Sequence, residues 1–134
     1  MSPSPQPAAS PGTILLVDDD PTIVQSLSTI LGHCGYKVLT AATLEDAIVA
    51  ARSARVIDLL VVDAVMPGVS GPEVAEILLF LRPNMKILFI TGLEVLTIRL
   101  AFDRPCSFLQ KPFSVAVLLS KVQELINVVR APGA

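Results

Sequence analysis

The sequence predicts an α/β fold, a five-stranded parallel sheet with helices packed on it. Three observations carry that reading. Uninterrupted apolar runs, Ile14-Leu15-Leu16-Val17, Leu59-Leu60-Val61-Val62 and Ile87-Leu88-Phe89-Ile90, have the composition of strands buried on both faces. Stretches of helical period lie between them, and this alternation is the pattern of βαβ units. Each run also ends in a chemically useful side chain: Asp18-Asp19-Asp20, Asp63 and Thr91, with Ser107-Phe108-Leu109-Gln110 running into Lys111-Pro112. In an open α/β sheet the ligand crevice lies outside the carboxyl ends of the strands.

The elements follow in order. The first strand is Thr13–Val17, after which Asp20-Pro21 supplies an N-cap and an N1 proline for a helix with Val24, Leu27, Ile30 and Leu31 on its apolar face. Gly32 and Gly35 mark its end. Tyr36–Thr40 reads as the second strand, and Thr43, with Glu45 and Asp46 behind it, starts a helix carrying Ala47, Ile48 and Ala51. The third strand, Asp58–Val62, delivers Asp63 to a loop containing Met66-Pro67-Gly68 and Ser70-Gly71, residues that demand a turn. A helix from Pro72 to Leu81 stops before Pro83, and Met85–Ile90 forms the fourth strand. Leu93–Phe102 is read as a helix without a clear cap. Phe108–Gln110 is the fifth strand, followed by a helix with Val115, Leu118, Val122, Leu125 and Val129 on one stripe.

Composition narrows the function. A chain of 134 residues with 52% hydrophobic and 16% charged residues is long enough and apolar enough for one globular core, which excludes a disordered class. A net charge of -2 without a Lys/Arg cluster gives no drive toward nucleic acid. Asp, Arg, Lys or Pro interrupts every long apolar stretch, so no membrane span is expected. Residues 1–11 lack the basic and apolar regions of a secretory signal and are read as a Pro/Ser/Ala-rich tail, 12–130 as the folded domain and 131–134 as a short C-terminal tail. The expected location is the cytoplasm. Cys34 and Cys106 are expected to be small core residues, unbridged and without metal-ligand spacing, and His33 to be a helix-terminal residue.

Carboxylates gathered at neighbouring strand ends repel one another, so Asp18, Asp19 and Asp63 call for a compensating cation. A hard divalent ion such as Mg²⁺ takes oxygen ligands, often only one or two carboxylates, and leaves positions for phosphate oxygens. Phosphoryl transfer needs alignment and neutralisation of charge. Asp63, alone at its strand end, is the candidate nucleophile for an acyl phosphate. Lys111 is placed to pair with the added charge and Thr91 to donate to a phosphoryl oxygen.

Val17-Asp18-Asp19-Asp20-Pro21, Asp63 with Met66-Pro67-Gly68 and Gly71, Thr91-Gly92, and Phe108-Leu109-Gln110-Lys111-Pro112-Phe113 together resemble the receiver domain of two-component response regulators, over about residues 12–130. The resemblance implies a doubly wound, flavodoxin-like sheet of order 2-1-3-4-5. It further implies phosphorylation of Asp63 by a histidine kinase or histidine phosphotransfer protein, and Mg²⁺ held by Asp19, Asp63 and the Val65 backbone carbonyl, with Asp18 assisting. Thr91 and Phe108 would act as the switch, and Lys111-Pro112 would be a cis peptide. The expected module is a stand-alone switch, self-catalysing only its own phosphorylation and dephosphorylation, that signals to a downstream protein. The short stretch between Thr91 and Lys111 predicts a truncated or displaced fourth helix. Apolar Val65 and Leu93, each two residues past a site residue, predict slow self-dephosphorylation.

The surplus apolar residues of Leu93–Leu100 and of the last helix, Val117 and Leu119, are read first as core and second as a homodimer or partner face. Two other functions compete. Asp18-Asp19-Asp20-Pro21-Thr22 also fits the Asp-x-Asp-x-Thr signature of haloacid-dehalogenase-type phosphatases, with Asp18 as nucleophile, but the only acidic residue after Lys111 is Glu124. A receiver-shaped scaffold that is never phosphorylated is the third reading.

Overall fold

The structure, a computed structural model, describes residues 11–92 and 94–130. The expected tails lie outside them, apart from Pro11, and so does Leu93. Strands β1 (Thr13–Val17), β2 (Lys37–Ala41), β3 (Leu59–Asp63), β6 (Lys86–Thr91) and β7 (Ser107–Gln110) form a five-stranded sheet of order β2-β1-β3-β6-β7. Every pairing in it is parallel. A two-stranded antiparallel ribbon, β4 (Val65–Met66) and β5 (Val69–Ser70), follows β3. The helices are α1 (Pro21–His33), α2 (Leu44–Ser53), α3 (Gly71–Leu81), α4 (Val95–Ala101) and α5 (Val115–Arg130).

The period-2 alternation of each strand divides the core into two layers. Ile14, Leu16, Leu59, Val61, Leu88, Ile90 and Leu109 pack on one side with Leu27 and Leu31 of α1 and Leu118, Val122 and Ile126 of α5. Leu15, Val17, Leu60, Val62, Ile87 and Phe89 pack on the other with Ala47 and Ala51 of α2, four residues of α3, and Ile98 and Phe102. The central strands are buried on both faces, as their unbroken apolar runs require.

Several boundaries differ from expectation. The second strand begins at Lys37 because Tyr36 still belongs to the end of α1: its N–H reaches Leu31 O (3.3 Å), Gly35 N–H reaches Gly32 O (3.0 Å), and Gly35 has φ +93°. This is a left-handed helix stop. It leaves Cys34, the C-cap, exposed, and Cys106 is only half-buried against the core, so neither is the enclosed thiol expected. The third and fourth strands each begin and end one residue later than predicted, so Asp63 and Thr91 are last strand residues, not loop residues. The fifth gains Ser107. Helix α3 starts at Gly71 because Ser70 and Glu73 form a reciprocal capping box. Helix α4 is seven residues long, against the predicted Leu93–Phe102, and its N-cap Glu94 makes no side-chain cap bond. The apolar surplus is not core at Leu96 (64% exposed), Leu100 (81%) or Val117 (50%). Arg82 ties the end of α3 to α2: Nε donates to Ala51 O (2.8 Å), Nη1 to Arg55 O (3.1 Å) and Nη2 to Ala54 O.

Among the described residues no helix is long and apolar enough to cross a membrane.

Candidate functional site

Parallel pairing of β1, β3 and β6 fixes which side chains meet. Val17 is paired with Val62, so Asp18 and Asp19 leave β1 beside the end of β3. Asp63 is paired with Ile90 of β6, which sets Thr91 one residue farther along the neighbouring strand. The ends are anchored by Ala64 N–H to Ile90 O (2.9 Å) and Lys111 N–H to Thr91 O (2.8 Å).

Asp18, Asp19 and Asp63 each offer a carboxylate oxygen, and the three lie within 4.8 Å of one another. Their surroundings differ: Asp18 is buried, Asp63 half-buried and Asp19 exposed. Asp20 is not part of the cluster; its Oδ1 accepts from Thr22 N–H (2.9 Å) and caps α1, as the sequence predicts. Asp18 Oδ1 accepts from Asp20 N–H (2.9 Å). Burial pushes the Asp18 carboxyl above its ordinary range and the nearby charges of Asp63 and Asp19 add to this, while the Asp20 N–H and the Lys111 ammonium oppose it. The cleft therefore holds more negative charge than its own residues neutralise, and a cation would complete it.

Asp63 is oriented from two sides. Its Oδ1 accepts from Val65 N–H at 3.0 Å, and its Oδ2 lies 3.9 Å from Lys111 Nζ, an ion pair too long to be a hydrogen bond. The Lys111-Pro112 peptide is cis. Thr91 is fully buried. Phe108 is half-buried, with its ring stacked 6.0 Å from that of Phe89. Asp19 borders two open clefts: one of about 450 Å³ toward Thr43 and Met66, and one of about 490 Å³ toward Pro21 and Gln25.

The loop after Asp63 is closed by a tight turn and a close approach. In the β4–β5 ribbon, Pro67-Gly68 occupies the two turn positions, with Gly68 at φ +78°, a geometry that favours glycine. The chain then returns so that Gly71 N–H bonds Ala64 O (2.9 Å), and a Cβ at Gly71 would sit 2.4 Å from the Asp63 carbonyl oxygen. The sequence shows Gly71 as part of a turn and of the receiver-like motif, with no sign of what it touches. Its pressure against the Asp63 backbone comes from the fold, whereas the Ser70-x-x-Glu73 capping box, placed in a turn by the sequence reading, is a helix-start pattern that could have moved the start of α3 to Gly71.

A model of the response regulator receiver domain matches residues 14–123. The chain belongs to that family. Among curated proteins, this receiver is 30% identical over 119 residues to the probable transcriptional regulatory protein TcrX of Mycobacterium tuberculosis, covering 87% of this chain and 50% of that protein. It is 31% identical over 118 residues to the sensor kinase CckA of Brucella abortus, covering 86% of this chain and 12% of that protein. The chain thus spans half or less of the length of these relatives. Among solved structures, the chemotaxis protein CheY4 of Vibrio cholerae superposes with a TM-score of 0.79 at 29% identity, covering 85% of this chain and 98% of that one. The response regulator TrrA of Thermotoga maritima, solved in complex with Mg²⁺-BeF, superposes with a TM-score of 0.72 at 32% identity, covering 85% and 98%. Receivers are in general phosphoacceptor switches of two-component signalling, and the acidic cluster of this one is consistent with a receiver Mg²⁺ site. The sheet order predicted from the resemblance is the one observed.

Proposed function

We propose that the chain is a phosphorylation-switched receiver that accepts a phosphoryl group on Asp63 from a histidine kinase or histidine phosphotransfer protein. The observation that carries this reading is the convergence of three carboxylates within 4.8 Å beside a lysine that pairs with Asp63. In the transfer, an Asp63 carboxylate oxygen forms a bond to phosphorus as the P–N bond of the donor phosphohistidine breaks, and the released imidazole takes up a proton. Asp63 is prepared for this by the Val65 N–H, which fixes the plane of its carboxylate.

Mg²⁺ fits the donor set, which is all oxygen, crowded and short of positive charge. Asp18, Asp19, Asp63 and the Val65 carbonyl would hold it. Such an ion supplies neutralisation of the phosphoryl oxygens. Lys111 contributes a second positive charge and Thr91 a hydroxyl donor, with Thr91 and Phe108 as the switch elements that read phosphorylation. That TrrA was solved with Mg²⁺-BeF supports transferring both the ion and the phosphoryl mimic to this chain. A folded unit of 12–130, a cytoplasmic setting, a downstream protein target and slow phosphoryl loss, with exposed Val65 offering no polar group, belong to the same proposal. Exposed Leu96 and Leu100 and the C-terminal helix are its surface for a partner or a second copy.

The test is heteronuclear NMR of the protein titrated with beryllofluoride in Mg²⁺. Saturable shifts around Asp63, Thr91 and Phe108 are expected, and Asp63→Asn should abolish them while leaving the fold intact. A wild-type protein that gives no response to beryllofluoride or to a small acyl phosphate would instead be a receiver-shaped scaffold.

A further inference from the structure

The Phe108 ring has two neighbours that the site does not explain. On one side it stacks on Phe89, centroids 6.0 Å apart with 25° between planes. Phe89 is fully buried and meets Phe102 edge-on at 5.2 Å, so that face of Phe108 rests on a fixed wall. Over Phe108 lies the guanidinium of Arg99, with its central carbon 4.9 Å from the ring centroid. That is cation–π distance. Nothing in the sequence announces this contact, because Arg99 belongs to α4 and Phe108 to β7, on either side of the connecting loop.

Arg99 also belongs to the least anchored helix of the fold. Helix α4 has seven residues, lacks a side-chain N-cap bond and buries only Ile98. Beneath it, between Thr97, Ile98 and Ala101 and the loop formed by Ala64, Val65 and Met66, is a largely apolar cavity of about 340 Å³. The helix therefore has open space on the side facing the loop that follows Asp63, and a polar clasp on the side facing Phe108.

We infer that Arg99 is a positioning residue for Phe108: its guanidinium holds the ring in its present half-buried place and so opposes the conformational change that would accompany phosphorylation of Asp63. This rests on the receiver reading above and adds to it the group that sets the resting state. A ligand shifts a two-state element only by its differential affinity for the two states, so a clasp present in one state alone lowers the apparent affinity for the phosphoryl mimic. An exposed cation–π contact has the strength to change such an equilibrium by about two- to fivefold. Arg99 itself is exposed, so replacing it leaves the core untouched.

The experiment uses the full chain labelled with fluorophenylalanine. Its five phenylalanines give a small ¹⁹F spectrum, in which the signal lost in Phe108→Leu identifies Phe108. In Arg99→Leu, which keeps an aliphatic side chain but removes the cation, the Phe108 resonance without ligand should move toward its position in the wild-type protein saturated with beryllofluoride and Mg²⁺. The apparent beryllofluoride affinity should rise about two- to fivefold, and Arg99→Lys should restore both readouts most of the way. An Arg99→Leu protein whose Phe108 resonance and affinity match the wild type, or whose affinity falls, overturns the inference. Failure of the receiver reading is separable, because the wild-type protein would then not respond to beryllofluoride at all.

Discussion

The two ends of the sheet each bury an aspartate, and they do opposite things with it. At the amino end, Asp58 is 5% exposed and its Oδ2 accepts the Thr13 N–H at 2.8 Å. Its own backbone continues the pairing, N–H to Thr13 O (2.9 Å) and C=O from Lys86 N–H (3.0 Å), so the carboxylate completes a junction among three strands. At the carboxyl end, Asp18 is 2% exposed but faces two further carboxylates, and its pKa is raised. A buried carboxylate given donors is structural. One given like charges has its ionised form disfavoured, and its cluster is consistent with a receiver Mg²⁺ site.

The sharpest way to break the carboxyl end without touching a carboxylate is Gly71→Ala. The added Cβ would stand 2.4 Å from the Asp63 carbonyl oxygen and 2.7 Å from Ala64 Cα, both backbone atoms that cannot swing away. Overpacking of this kind costs about 1–3 kcal/mol, and displacing the Asp63–Val65 segment should cut beryllofluoride affinity by roughly 10- to 100-fold. Gly68→Ala is the comparison: nothing lies within 4 Å of its Cβ, and only the turn at φ +78° is strained. Stability should fall in both variants and phosphoryl-mimic affinity chiefly in the first, as isothermal titration would read. Equal losses of affinity would mean that the whole ribbon, not the approach of Gly71, positions Asp63.

This contrast also marks what sequence can and cannot carry. The strands were legible because burial on both faces leaves unbroken apolar runs, and the caps at Asp20 and Thr43 because local hydrogen bonding selects residue types at fixed offsets. Asp18, Asp63, Thr91 and Lys111 could be gathered on paper because strand ends in a parallel sheet share one edge. The one-residue shifts of three strands were not legible. Where a ladder starts depends on partners distant in the chain, such as Thr13 for Asp58. The clasp of Arg99 on Phe108 and the reach of Arg82 to the end of α2 are long-range contacts of exposed or half-buried side chains, for which neither period nor spacing leaves a trace.

Asp58→Ala tests the other end. It leaves the half-buried Thr13 N–H without its carboxylate partner, a loss of about 1–3 kcal/mol. Asp58 and Asp63 are separated by the length of β3, roughly 16 Å at strand rise, too far for direct coupling. Denaturant titration should show the destabilisation, and beryllofluoride affinity of the folded protein should stay within about twofold of wild type, as additivity for distant sites predicts. An affinity that drops in step with stability would show that the amino-end junction also sets the geometry of the cleft.

The smallest effect is expected from Asp18→Asn, and its sign is the informative part. A carboxyl whose folded pKa is raised above the unfolded value of 3.8 contributes stability that is fully present below the unfolded value and is lost as pH rises through the folded one. At neutral pH without Mg²⁺, the ionised Asp18 is therefore a liability. Asparagine removes the charge while keeping an oxygen for the Asp20 N–H. The metal-free variant should be more stable than wild type at pH 7, read as a higher Tm, and the difference should fade as the pH is lowered toward the unfolded value of 3.8. Adding Mg²⁺ should reverse the order at neutral pH, because an ion that binds only the folded state stabilises the intact cluster more. A variant less stable than wild type in chelator at pH 7 would mean that the backbone donor outweighs the like charges around Asp18, and that the carboxyl end is less strained by its charge than the comparison with Asp58 requires.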